Sequence, residues 1–245
     1  MARKLSRKKP RRRTARKRGP RWLPWLVVAL LVLATVGGGW AWLESRNWRP
    51  DEARWADQGA LVGEMDGTVR IATLKGLGAG FVYLEASRGT DGKDAAFPGN
   101  FAAARAAGLQ IGAVHRFDPC ARADGQSANF VTSVPRDVEL LPPAIMLERT
   151  AAECPERVSR AAVQSEVMTL VNQIEAHTGK PVILAPSEEF EESYAVAARI
   201  DRNLWLSRNW SEPTYAGRPW LLWTANSAFQ TEAAEQPLRW VVVRP

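Results

Sequence analysis

The chain has 245 residues, with 33 Lys or Arg against 26 Asp or Glu and a net charge of +7. Twelve of the basic residues and no acid fall in the first 21 positions, so the remainder carries 21 basic and 26 acidic side chains, net −5. The basicity belongs to a tail that topology control and attraction to anionic lipid explain, and no nucleic-acid partner is expected of the body.

Behind the tail lies WLPWLVVALLVLATVGGGWAWL, Trp22 to Leu43, without a charge in 22 positions. As a helix it would reach about 33 Å, enough for a hydrocarbon core of about 30 Å. Trp22 and Trp25 stand at one end and Trp40 and Trp42 at the other, as amphipathic rings do at two interfaces. A single membrane pass is expected, with lipid as a partner, the N-terminus cytoplasmic and the C-terminal domain periplasmic or otherwise extracytoplasmic. The rival reading is a cleaved signal peptide, for which Gly37 to Ala41 offers small residues. Residues 44–57 read as a juxtamembrane linker or short helix, and residues 58–245 as one domain.

Within that domain strands and helices alternate. Gly80 to Ala86 is a strand candidate, Phe97 to Ala107 a helix, Gln110 to Phe117 a strand, the region near Ala128 a helix, and Ala144 to Glu148 a strand. A long helix over Arg157 to Thr178 stops at Gly179, and Pro181 opens the strand Val182 to Ala185. Short strands follow at Leu204 to Ser207, Trp220 to Thr224 and Leu238 to Val243. The pattern predicts an α/β fold, a parallel sheet with helices outside, whose strand C-termini carry the chemistry.

Period-two alternation groups Phe81, Tyr83 and Glu85; Ile111, Ala113 and His115; and Ala144, Met146 and Glu148. If these faces point inward, Glu85, His115 and Glu148 converge at one rim. Each also has a plainer reading: Glu85 as an ion-pair partner of Arg88 or Lys93, His115 as a structural hydrogen-bonding residue, and Glu148 beside Arg149 as a solvated pair. Cys120 and Cys154 both lie in the exported part, where an oxidising compartment permits a disulfide joining two loops at that rim. There is no clustered metal-ligand set and no phosphate-binding glycine motif, so no cofactor is expected.

Several segments resemble the glycoside hydrolase family 25 lysozymes, muramidases that cut peptidoglycan glycan. The resemblance is carried by Gly89, Asp94, Phe97, Asn100, Ala107-Gly108-Leu109, Gly112 and His115. Gln126 and Phe130, Leu141-Pro142-Pro143 with Glu148, His177 to Pro181, and Trp205 with Trp223 continue it. It implies an irregular TIM-like barrel of about five β/α units with extra strands, and peptidoglycan glycan as partner; no protein partner is implied. It also exposes departures. Leu61 stands where the family's first strand carries an Asp, and Met146 where it has the Asp of Asp-x-Glu. Glu85-Ala86-Ser87-Arg88 replaces a Lys-Ala-Thr-Glu-like strand end, Trp223-Thr224-Ala225 replaces Trp-Gln-Tyr, and a late Asp is not evident in Leu238 to Val241.

Glycoside hydrolysis needs an acid and a second carboxylate or the substrate's own acetamido group. The sequence offers Glu148 as general acid, Glu85 as second carboxylate and His115 in support, with Trp205, Trp223, Tyr83 and Met146 toward the substrate. Two functions follow: a lysozyme-like hydrolase of reduced activity, or an inactive barrel that binds peptidoglycan or a cell-envelope protein through a mouth lined by some of Trp205, Trp210, Trp220 and Trp223.

Overall fold

The computed structural model describes residues 22–136 and 139–245; the basic segment 1–21 lies outside them. It divides into a unit ending at Glu44 and a unit from Ser45 to Pro245. The first is the greater part of helix α1 (Leu23–Asn47). Among the described residues, Trp25–Asn47 is the one helical segment long and apolar enough to cross a membrane, and a signal sequence meets the same test.

The second unit is an irregular, nearly closed β-barrel of TIM-like design. Parallel strands β1 (Gln58–Val62), β2 (Phe81–Arg88), β4 (Gln110–Arg116), β5 (Ala144–Leu147) and β6 (Ile183–Pro186) lie side by side in that order, with the two-residue β3 (Gly92–Lys93) turned back on β2. On the other flank β9 (Leu238–Val243) runs antiparallel to β1, β8 (Leu222–Phe229) antiparallel to β9, and β7 (Trp205–Ser207) parallel to β8. A parallel bridge from Leu184 to Leu204 joins the two edges.

Five helices follow the five parallel strands: α2 (Ile71–Gly76), α3 (Phe97–Ala107), α4 (Ala123–Ser133), α5 (Arg160–Thr178) and α6 (Glu188–Tyr194). Their limits are chemically marked. α3 opens on a proline and closes on Gly108 at φ +66, and α5 is capped by Ser159, whose side chain accepts from the Ala162 N–H, and by Gly179 at φ +69. α5 buries Val163, Val167, Leu170, Val171 and Ile174, a stripe at helical spacing that faces the sheet.

Apolar side chains form two layers. The larger lies between strands and helices; the smaller fills the barrel with Leu61, Tyr83, Val114, Met146, Trp205 and their neighbours. β2 and β5 present the predicted faces inward. β4 does not: Ile111 and Ala113 pack outward against the helices while Val114 points inside. Gly112 explains the choice, because a Cβ there would lie 2.2 Å from the Tyr83 ring, so only glycine lets that ring cross the interior.

Residues Ser45 to Asp57, read from sequence as a linker, form a strap on the outside of β8 and β9. The Asn226 side-chain amide donates to the carbonyls of Ser45 (3.2 Å), Arg46 (3.4 Å) and Trp48 (2.9 Å). Trp55 is buried against Trp220 and Trp223, and the Gln58 amide donates to the carbonyls of Pro50 and Trp55.

Candidate functional site at the barrel mouth

The C-terminal ends of β2, β4 and β5 open on a cleft of about 280 Å³ whose lining includes Arg88, Asp91, Arg116, Asp118, Met146, Glu148 and Arg149. Glu85 lies beside it, buried to 8 % exposure at the end of the inward face of β2. The residue that organises the mouth is Arg116. Its Nε and Nη2 donate to the two Glu85 oxygens at 2.9 and 2.6 Å, and its Nη1 donates to Glu148. Arg239 of β9 donates to Glu85 from the other side. Burial pushes the Glu85 carboxyl up, but Arg116 and Arg239 override it and hold it down at about 2. Burial likewise opposes the charge on Arg116, and its two carboxylate partners raise its pKa regardless.

Glu85 and Glu148 therefore do share a rim, bridged by one guanidinium. The space between them is filled by a cation. Below, where the resemblance expects two acids, Leu61 and Met146 belong to the apolar barrel interior. Glu85, which stands at the start of the strand end where the resemblance expects Lys-Ala-Thr-Glu, is ion-paired with Arg239, in the segment where no late Asp is evident.

Two further acids are tied to backbone. Asp94 accepts from the Glu64 and Ala96 N–H groups, and Asp66 from that of Gly63; burial raises both carboxyls. A Cβ at Gly63 would approach the Glu85 carboxyl to 2.9 Å, so a larger residue there would have to displace that carboxylate from its arginine partners.

His115 is not at the mouth, which corrects its expected placement. The outward turn of β4 puts it, fully buried, between the sheet and α4. Its Nδ1 lies 2.8 Å from Ser87 Oγ and its Nε2 3.3 Å from Gln126 Oε1. Gln126 donates its own amide N–H groups to Asp118 O and Ala121 O, so its oxygen faces the ring and Nε2 carries the proton. Burial lowers this histidine to about 4.

The aromatic residues expected at the substrate are also elsewhere. Trp205 is inside the barrel, 4.9 Å centroid to centroid from Tyr83 and donating to Thr224. Trp223 is in the outer layer among Trp48, Trp55 and Trp220. Tyr83 points to the opposite end, where its hydroxyl donates to Pro142 O and its ring lines an apolar pocket of about 540 Å³. Trp210 is exposed, with its indole N–H on Ser45 O. Among the described residues no tryptophan lines the cleft; Met146 alone of the four expected substrate contacts does. Sequence reasoning missed Arg116, whose signal was its period-two spacing from Gly112 and Val114.

Cys120 and Cys154 form the expected disulfide, 34 residues apart. It joins the loop bearing Asp118 to the loop bearing Arg149, two walls of the cleft that are themselves ion-paired at 3.1 Å. Replacing both cysteines with serine should cost about 2 to 5 kcal/mol. Urea midpoints of the variant and of the unreduced parent should differ accordingly; equal midpoints would show that the crosslink contributes nothing.

The model of the family described as Glycosyl hydrolases family 25 matches residues 62–236, most of the barrel and its mouth. The chain belongs to that family. Solved structures agree on the fold. A family 25 glycosyl hydrolase from Bacillus anthracis is 22 % identical with a TM-score of 0.73, over 82 % of this chain and 93 % of that one. A lysozyme from Streptomyces coelicolor is 20 % identical at TM-score 0.68, covering 77 % and 92 %, and a family GH25 lysozyme from Aspergillus fumigatus 19 % identical at 0.65, covering 77 % and 94 %. No curated protein matches the chain. Family 25 membership thus rests on the matched sequence, and these distant likenesses speak to architecture alone.

Proposed function

We propose that this family 25 barrel, tethered outside the membrane by its N-terminal helix, holds peptidoglycan glycan at its mouth without hydrolysing it. The observation that carries this is the Arg116 guanidinium, bonded at once to Glu85 and Glu148. A general acid must bring a proton to the leaving oxygen, and here that carboxyl is committed as the acceptor of an arginine N–H. The acids that would orient an acetamido group or stabilise positive charge are replaced by Leu61 and Met146, and each lost transition-state interaction costs about 3 kcal/mol, roughly a hundredfold in rate.

A second reading, slow hydrolysis with Glu148 as acid and Glu85 as its partner, is favoured by one feature. The Glu148 side chain is 47 % exposed on the cleft, free to leave Arg116 for a substrate oxygen. Incubating the protein with purified peptidoglycan separates the two. Sedimentation with the polymer and no new reducing ends is the expected result; reducing ends made by the parent and lost in Glu148→Gln would establish the hydrolase instead.

A further inference from the structure

The two carboxylates on Arg116 are unequal. Glu85 has a side chain only 10 % exposed, takes two of the guanidinium's donors, and already has Arg239 as a second cation. Glu148 takes one donor, stands just past the last residue of β5, and is about half in water. With both in place the cluster of two arginines and two glutamates is balanced. If Glu148 swings into solvent, Arg116 loses one of its two carboxylate partners, and its freed Nη1 is left at the cleft that Met146 also lines, whose apolar side chain offers no competing hydrogen bond. Arg88 and Arg149 also line the cleft, but both are more exposed and more loosely held, Arg88 by Glu64 at 3.4 Å and Arg149 by Asp118 at 3.1 Å and Glu153 at 3.7 Å, whereas Arg116 is fixed by two bonds to the buried Glu85.

Glu148 thus occupies, as an internal stand-in, a socket shaped for a carboxylate. We propose that the mouth recognises a carboxylate on its glycan ligand, with Arg116 as the receptor and Glu148 as the group the ligand displaces. The ligand class is an acid-bearing glycan, and a muramyl residue whose ether-linked lactyl group carries a free carboxylate supplies that chemistry, as does a stem-peptide carboxylate. A guanidinium held by two bonds to a buried partner is pre-organised to meet such a group, which a flexible lysine would not be. This inference rests on the glycan-binding reading.

The test is calorimetric binding to the full chain in detergent. The probes are a peptide-free muramyl oligosaccharide with free lactyl carboxylates, the same oligosaccharide with those groups converted to methylamides, and a glycan bearing stem peptides. The acid form should bind about tenfold tighter than the amide, a gap of roughly 1.4 kcal/mol. Glu148→Gln, which leaves the Glu85 clamp untouched, should tighten the acid form by a further few-fold, and Arg116→Gln should abolish the preference. A stem-peptide glycan bound tighter than the peptide-free acid would support the carboxylate receptor while assigning the peptide as its source. Equal binding of acid and amide, or no gain in Glu148→Gln, would overturn the proposal and leave glycan binding standing. Failure to bind any of the three would remove the glycan-binding reading with it.

Discussion

Taking the protein from pH 7 to pH 4 is expected to remove on the order of 3 kcal/mol of folding stability through His115 alone. Burial lowers the imidazole from 6.5 to about 4 in the fold, so between those values the unfolded chain binds a proton that the native state refuses. Stability is then fully present above pH 6.5 and lost as pH falls toward 4. Among the described residues the ring's polar and aromatic partners are all uncharged, Ser87 Oγ, Gln126 Oε1 and the edge of Phe130. Denaturant midpoints measured across this range for the parent and for His115→Gln provide the check. The variant should be less stable at pH 7 and should lose about 3 kcal/mol less than the parent between pH 7 and 4, keeping only the slope that the shifted carboxyls such as Glu85 contribute near the acid end; an unchanged slope in the variant would place the titrating group elsewhere. Glu85 adds a separate window. Its carboxyl is depressed to about 2, so its contribution holds above the ordinary carboxyl value of 4.5 and drains away as pH falls toward 2.

Replacing Glu85 with glutamine should be the most damaging single change at the mouth, at about 3 to 5 kcal/mol. The reason is what remains: Arg239, with a side chain 20 % exposed, loses the carboxylate it donates to, and Arg116 loses the anchor for two of its donors. Glu148→Gln breaks a bond to the same guanidinium at a half-exposed position and should cost less than about 1 kcal/mol. The contrast is the measurement, read as urea midpoints of the two variants side by side. Adding Arg239→Gln to Glu85→Gln should recover part of the loss, because it removes the stranded cation. Two midpoints that move equally would mean that Glu85 is not the buried hub of the cluster.

Much of the fold was legible because glycine and proline punctuate it. Phe97–Ala107 and Leu238–Val243 are found with the predicted bounds, and the long helix stops at Thr178 before Gly179 as expected. The face of β4 was not legible. Both of its faces are buried, so apolar alternation has no preference between them, and the decision falls to the fit of Gly112 under the Tyr83 ring, a contact between two strands. The one-residue error moved His115 to the mouth on paper and hid Arg116.

The site was legible in its acids and not in its cations. Glu85 and Glu148 could be placed from strand-end position and spacing. Their partners could not, because Glu85 and Arg239 are separated by 154 positions and meet only through the β1–β9 and β1–β2 pairings. The tryptophans misled for another reason. A large ring with one N–H donor suits a sugar platform and a buried layer equally, and Trp205 and Trp223 both found protein acceptors inside.

The strap gives the N-terminal segment a definite inner limit. A protease that trims the leader anywhere in Gly37 to Ala41 leaves every residue from Ser45 onward, hence the Asn226 bonds and the Trp48 and Trp55 packing, intact. A cut after Trp55 would strip away the wedge of indoles that covers Trp220 and Trp223. A chain trimmed there and an untrimmed one would therefore share one stable body, and a recombinant version that starts at β1 would begin its life with a wound in its side.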